Sequence, residues 1–97
     1  MSALLLTVSV FRNFMPPRKT LVPAMAVIES QRPIKYVRFT LPEGPQTWIW
    51  EGAPAKEGGM YVLRDGPELP EQLLLQAQIE FQDGSQAARR VAVHFVH

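Results

Sequence analysis

Two tryptophans, Trp48 and Trp50, are the side chains of this 97-residue sequence best suited to binding chemistry. They are two positions apart, so in a strand both lie on one face, with Ile49 on the other. Such a pair can stack on a sugar ring or anchor a protein partner, together with Tyr36 and Tyr61. It can equally fill the core of a small β domain, because aromatic side chains dominate such cores. Both interpretations stay open, and the first makes all four aromatic residues candidate binding residues.

The two histidines, His94 and His97, give no basis for catalysis or metal binding. Nucleophilic catalysis needs a base beside a nucleophile and a third group that orients the base. His94 falls on the hydrated face of a predicted strand, and His97 is the terminal residue. They are three positions apart, so on a strand they point to opposite faces and do not share a metal ion. Gly58-Gly59 lacks the context of a phosphate loop. We therefore predict a non-enzymatic protein with no catalytic residue, cofactor or metal.

The composition excludes several classes of partner. A formal net charge of +1 gives little positive field, so nucleic acid is not an expected partner. No stretch reaches the roughly 18–20 apolar residues of a membrane-spanning helix. The absence of Cys excludes a disulfide framework and says nothing about the compartment. A protein partner or a second copy of the chain is the main expectation, with a glycan as the alternative.

The N-terminal stretch Ser2–Phe11 is apolar, and Ala24-Met25-Ala26 resembles a signal-peptidase site. However, no positively charged region precedes the apolar run, so a strand is the better interpretation and the cytoplasm is favoured over secretion. Internal Met15 and Met25 leave open that residues 1–24 form a peripheral strand or a non-native extension.

The stretch Leu73–Val96 has the clearest pattern, LLLQAQIEFQDGSQAARRVAVHFV. Apolar residues alternate with polar ones up to Phe81, and the alternation resumes at Val91. A period of two is typical of a strand with one buried and one hydrated face. Because Asp83-Gly84 supplies turn residues between the two halves, the pattern predicts a C-terminal β-hairpin.

The register of this hairpin follows from the choice of loop. A two-residue loop at Asp83-Gly84 would set the apolar face of one strand against the polar face of the other. A three-residue loop, Gln82–Gly84, avoids this and places Gly84 at the left-handed position of a type I turn with a G1 bulge. The predicted pairs are then Phe81–Ser85, Ile79–Ala87, Leu75–Val91 and Leu73–Val93.

Shorter alternating segments precede the hairpin. The predicted strands are Leu4–Phe11, Thr20–Glu29 (at an edge or interrupted at Pro23), Ile34–Leu41, Thr47–Glu51 and Gly59–Arg64, with a loop at Gly52–Gly59. About seven short strands in a chain with 9 Pro and 6 Gly predict an all-β fold. We expect one domain over residues 1–97, a small antiparallel β-sandwich, with a small β-barrel as the alternative.

The block Ile34–Val96 resembles the latter part of a bacterial immunoglobulin-like or fibronectin type III-like domain. The strand IKYVRFTL, a short aromatic strand and a long final hairpin with a DG turn carry this resemblance. The chain departs from antibody-type domains because it lacks their Cys pair and the Tyr before the second Cys. The resemblance implies a β-sandwich and a role in adhesion, spacing or subunit contact, and it transfers no functional residue.

The sequence therefore predicts a non-catalytic protein-interaction or assembly module. Homodimer formation through an open edge, the first strand or the last, is the expected form of assembly. Trp48, Trp50, Tyr61 and the Gly52–Gly59 loop are the expected contacts. The alternative is a carbohydrate-binding domain in which Trp48 and Trp50 form a stacking platform.

Overall fold

All regular structure in the described part of the chain is β. The computed structural model describes residues 4–13, 20–21, 23–42 and 49–96. Its strands are β1 Leu4–Asn13, β2 Thr20–Leu21, β3 Met25–Ser30, β4 Ile34–Thr40, β5 Trp50–Gly52, β6 Ala55–Glu57, β7 Met60–Leu63, β8 Leu74–Phe81 and β9 Gln86–Val96. These residues include no helix long and apolar enough to cross a membrane. The predicted all-β class is confirmed.

Eight of the strands form one continuous sheet that curls into a half-barrel. Their order is β5-β4-β8-β9-β1-β3-β7-β6, and β2 pairs with β1 alone. Neighbours run antiparallel except β1 and β9, which run parallel, so the sheet is mixed. The sheet thus has eight strands where the alternation pattern indicated about seven.

The C-terminal hairpin has the predicted three-residue loop. The N–H of Phe81 donates to the carbonyl of Ser85 at 2.9 Å, and the N–H of Gly84 donates to the carbonyl of Phe81 at 3.0 Å. Gly84 has a φ of 89°, the left-handed conformation that a residue without Cβ adopts without strain. The predicted pairs Ile79–Ala87 and Leu75–Val91 are present, and Val93 donates to the carbonyl of Leu73. The predicted register is confirmed.

One hydrophobic core collects side chains from both halves of the curled sheet. In β8 the buried residues alternate with exposed or half-buried ones along the whole strand. The largest fully buried side chains are Phe39, Ile28, Leu75, Ile79, Val8, Val10, Val37 and Val93. Each side chain of this size contributes about 1.5–3 kcal/mol when it is removed from water. The core therefore packs the two halves of the sheet, β5-β4-β8-β9 and β1-β3-β7-β6, against each other.

The predicted edge strands do not lie at the ends of the sheet. The segment Thr20–Glu29 is interrupted as expected, since β3 starts after Pro23, but β3 lies between β1 and β7. The first and last strands pair with each other over Val8–Phe11 and Val93–Val96. Of the two alternatives for Thr20–Glu29, the interruption is observed and the edge position is not, because alternation reports which side chains are buried and not which strand is the neighbour. The ends of the sheet are β5 and β6.

The predicted loop Gly52–Gly59 contains a strand, β6. The turn between β6 and β7 has φ values of 58° at Gly58 and 87° at Gly59, as a type I′ hairpin turn requires. All three residues of β6 are exposed, so this strand has no alternation by which it could be recognised. Backbone hydrogen bonding to β7 alone defines it.

Candidate functional site

The outward side of β5, β4, β8 and β9 carries three rows of mainly polar side chains, one across all four strands and two across three. The cross-strand register aligns them as Glu51–Arg38–Gln78–Ala88, Tyr36–Glu80–Gln86 and Thr40–Gln76–Arg90. We call this surface the polar face and define it by Tyr36, Arg38, Glu51, Gln76, Gln78, Glu80, Gln86 and Arg90. The opposite parity of the same strands fills the core, so strand geometry sets the face and the register of the ladders places these residues together.

Tyr36, Arg38 and Glu51 form a cluster on the polar face that contains a hydrogen bond and an ion pair. The Tyr36 hydroxyl donates to Glu51 Oε1 at 3.1 Å, and Arg38 Nε lies 3.9 Å from Glu51 Oε2. The Arg38 guanidinium carbon lies 5.2 Å from the centre of the Tyr36 ring. Loss of solvent at the sheet surface raises the pKa of Tyr36, as do the hydrogen bond that its hydroxyl donates to Glu51 and the negative charge of Glu51, while Arg38 lowers it. The phenol therefore stays neutral and fixed in orientation.

The cavity beside this cluster is too small for an organic ligand. Its volume is about 20 Å³, and it is lined by Tyr36, Arg38, Gln78, Ile79, Glu80 and Gln86. That volume holds roughly one water molecule, whereas small-molecule sites have volumes of about 300–1,000 Å³. This part of the polar face therefore offers no enclosed space for a substrate-sized ligand.

An apolar groove adjoins the polar face. Its volume is about 310 Å³, and it is lined by Leu41, Pro42, Leu73, Leu74 and Arg90. Leu41 and Leu74 are 38% and 42% exposed, respectively. We call it the leucine groove. Within the described ranges Arg90 has no carboxylate partner, so its guanidinium is available at the rim.

The structure separates the aromatic residues that the sequence proposed as one site. Trp50 is 7% exposed and Tyr61 is 8% exposed, and both belong to the core. Trp50 lies opposite Phe39 in the β4–β5 ladder, so it shares the buried face of Phe39. Tyr36 lies on the polar face, half-buried. Trp48 lies outside the described residues.

Sequence reasoning missed Leu74 and Arg90 as surface candidates. One signal was available for Leu74, which is the one apolar residue on the hydrated parity of β8, where Gln76, Gln78 and Glu80 follow it. An apolar residue among polar ones on the hydrated side of a strand indicates that another part of the chain, or another molecule, contacts that position. Arg90 gave no comparable signal, since an exposed Arg on a strand is common.

Other chemistry is sparse in the described part of the chain. His94 is exposed on β9, as its parity predicted. Among the described residues no three His, Cys, Asp or Glu side chains are grouped so that they could hold a metal ion. Comparison with family models, curated proteins and solved structures finds no match to this chain.

Proposed function

We propose that this chain is a non-catalytic assembly module of immunoglobulin-like architecture that associates with a second copy through the polar face and the leucine groove. The observation that carries the proposal is the pair of exposed leucines, Leu41 and Leu74, on the margin of a polar sheet surface. Interfaces between proteins commonly combine an apolar centre with a polar rim in which Tyr and Arg are enriched.

The strand order supports the immunoglobulin-like part of the proposal. Immunoglobulin domains pack a sheet of strands A-B-E-D against one of strands G-F-C, extended by C′ in some members. Leaving out the two-residue β2, the order β1-β3-β7-β6 corresponds to A-B-E-D. The order β9-β8-β4-β5 corresponds in the same way to G-F-C-C′. The correspondence extends over the whole sheet, and β1 joins the two halves.

The charges of the polar face suit contact with an identical face. Arg38 and Arg90 are opposed by Glu51 and Glu80, two positive and two negative side chains, so the formal charges cancel. A two-fold dimer places the same surface on both partners, so a face of one sign would repel its copy. A balanced face avoids that repulsion and can pair opposite charges across the axis.

Assembly through a terminal edge of the sheet has less support. The end strands β5 and β6 have three residues each. Short edge strands offer few backbone groups to a neighbour and are a common protection against pairing. The self-association expected from the sequence is therefore better assigned to a face than to β5 or β6.

No observation among the described residues favours the carbohydrate-binding alternative. That alternative needs Trp48 and Trp50 side by side on the surface, and Trp50 is stacked in the core. The small cavity on the polar face likewise offers no enclosed volume for a substrate. The proposal of a non-catalytic module rests on these two points together with the leucine groove.

Light scattering from micromolar to high micromolar concentration tests the proposal. Wild type is expected to approach twice its monomer mass, and Leu74→Glu is expected to remain monomeric. Leu5→Glu is the matched control, because Leu5 is 59% exposed on β1, in the other half of the sheet. A wild type that stays monomeric throughout, or an association lost in Leu5→Glu and kept in Leu74→Glu, would contradict the proposal.

A further inference from the structure

Strand β9 is paired on both sides along only part of its length. The β8 ladder covers β9 from Gln86 to Ala92. The β1 ladder on the other side consists of four pairs and covers only Val93–Val96. Within residues 4–13, 20–21, 23–42 and 49–96, no strand pairs with that side of Gln86–Ala92. Among the described strands, Gln86–Ala92 thus forms an open edge of seven residues in the middle of the strand order.

The backbone groups on this open edge can be assigned. Phe81 donates to Ser85, and Val93 donates to Leu73, so the odd-numbered residues of β9 bond to β8. Alternate residues of an antiparallel strand direct their N–H and C=O groups to opposite sides. Gln86, Ala88 and Arg90 therefore direct theirs away from β8, toward the open side. In this row the Ala88 carbonyl accepts from the adjacent Arg89 side chain, and the row as a whole lies outside the β1 and β8 ladders. An edge of this kind can accept an added strand.

The side chains along the open edge are basic and apolar. Arg89 and Arg90 are exposed, and neither has a carboxylate partner within the described ranges. The Arg89 guanidinium donates only to the carbonyl of the adjacent Ala88, at 2.8 Å. Arg89 lies on the parity of Ala87 and Val91, two half-buried residues that pack against the core. The edge thus alternates small apolar contacts with unneutralised positive charge.

We propose that the open edge of β9 binds an extended acidic segment of a partner protein, which adds to the sheet as a further strand. Arg89 and Arg90 lie on opposite faces of β9. The carboxylates of the added strand therefore lie beside Arg90 on one face, and its apolar residues lie beside Ala87 and Val91 on the other. A second copy of the same edge does not fit, because antiparallel pairing of two β9 edges brings four guanidinium groups together. The contact depends on the β9 backbone, whereas the self-association proposed above depends on Leu74.

Fluorescence anisotropy with a defined probe tests this site. The probe is a labelled eight-residue peptide of alternating valine and glutamate, and the control probe has lysine in place of glutamate. Wild type is expected to bind the glutamate probe at least about tenfold more tightly than the lysine probe, and less tightly as salt is added. Absence of binding, or equal binding of both probes, would overturn the proposal.

Two variants separate strand addition from simple charge attraction. Ala88→Pro removes an N–H from the open side and leaves the β8 ladder intact, so binding is expected to weaken about tenfold. The double reversal Arg89→Glu and Arg90→Glu should reverse the preference between the two probes. Lys56→Glu, a charge reversal on the exposed end strand β6, is the control and should bind as wild type does. If Ala88→Pro binds the glutamate probe as tightly as wild type does, the proposal of strand addition is wrong. If circular dichroism shows that Ala88→Pro does not fold, the variant with Arg89→Glu and Arg90→Glu decides. Leu74→Glu should retain probe binding, so the two proposals fail separately.

Discussion

The indole ring of Trp50 stacks on the phenyl ring of Phe39, with ring centres 4.8 Å apart and planes inclined by 20°. This contact attaches the end strand β5 to the core. It also positions the segment after β7, where Gly66 donates to the carbonyl of Ala24 at 3.0 Å. A Cβ at Gly66 would lie 2.8 Å from Trp50 Cε2 and 2.9 Å from the Ala24 oxygen. Trp50 therefore has a structural role at the point where β5 and the segment after β7 meet.

We expect Trp50→Ala to lower the free energy of unfolding by about 3–5 kcal/mol, because it removes a large buried ring and leaves a cavity. Trp50→Phe keeps the stack on Phe39 and should cost clearly less. Urea denaturation followed by far-ultraviolet circular dichroism measures both. A Trp50→Ala variant as stable as wild type would mean that the ring does not pack as described.

The hairpin turn provides a second test. Gly84 has a φ of 89°, and a Cβ there meets no atom within 4 Å, so backbone conformation alone opposes substitution. Gly84→Ala should lower the free energy of unfolding by about 1–2 kcal/mol, the cost of a left-handed residue with a Cβ. Gly84→Asn should cost less, because Asn enters this conformation more readily. Equal stability of wild type and Gly84→Ala would contradict the G1 turn.

Asp83, at the tip of the same hairpin, should titrate at unusually low pH. The Ser85 hydroxyl and then the Ser85 N–H, at 2.8 Å, lower its pKa, and the Arg32 guanidinium, 3.0 Å from Oδ2, lowers it further, to about 2. The carboxyl-carbon resonance of Asp83 should therefore have its titration midpoint near 2. Ser85→Ala and Arg32→Gln should each raise this midpoint, and a midpoint unchanged in both variants would contradict the assignment.

The lowered pKa of Asp83 determines how the stability of the protein changes with pH. Because the folded value of about 2 lies below the ordinary value of 3.8, the ionised carboxylate favours the folded state. This contribution is complete above about pH 4 and disappears as the pH falls through 2. As the pH is lowered from about 4 to about 2, the free energy of unfolding of Asp83→Asn should fall less steeply than that of wild type. Identical slopes in the two proteins would show that Asp83 is not linked to folding.

Tyr36 should titrate above its ordinary value of 10.0, owing first to desolvation and then to Glu51. A raised folded pKa favours the neutral phenol, so its contribution to stability is present below pH 10 and is lost as the pH rises through the folded value. Glu51→Gln should lower the pKa of Tyr36, and Arg38→Gln should raise it. Tyrosine ring-carbon resonances measure both, and shifts of the same sign in the two variants would contradict the cluster.

The hairpin could be predicted because its signals are local. Leu75, Ile79 and Phe81 mark the buried parity, and Gly84 supplies the turn conformation, so period and turn chemistry agree on one register. Strand β6 could not be found from the parity of Ala55–Glu57, although the Gly58-Gly59 pair was a usable hairpin signal.

Long-range neighbours could not be predicted in the same way. The parallel contact of Val8–Phe11 with Val93–Val96 joins the two ends of the chain, and alternation is the same whichever strand lies alongside. Alternation likewise does not determine whether the side of the strand that carries Trp50 is buried. The β4–β5 register does, because it places Trp50 opposite Phe39. The polar face followed from parity, but its adjacency to Leu41 and Leu74 depends on the pairing of β4 with β8.

The proposed assembly places the polar faces of two copies against each other. The chain has no Cys, so a single introduced Cys carries a spin label at one defined position. Gln78→Cys labels the middle of the polar face, and Thr7→Cys labels the outward side of β1 in the other half of the sheet. Both side chains are exposed, so neither substitution disturbs the core.

The distance between the two labels in a sample of singly labelled Gln78→Cys, measured by pulsed dipolar spectroscopy, tests this arrangement most directly. Since stacked sheets lie about 10 Å apart, we expect the two labels at position 78 to be within about 20 Å, and those at position 7 to be much farther apart. A short distance at position 7 with none at position 78, or no dipolar coupling at either position at high micromolar concentration, would contradict assembly through the polar face.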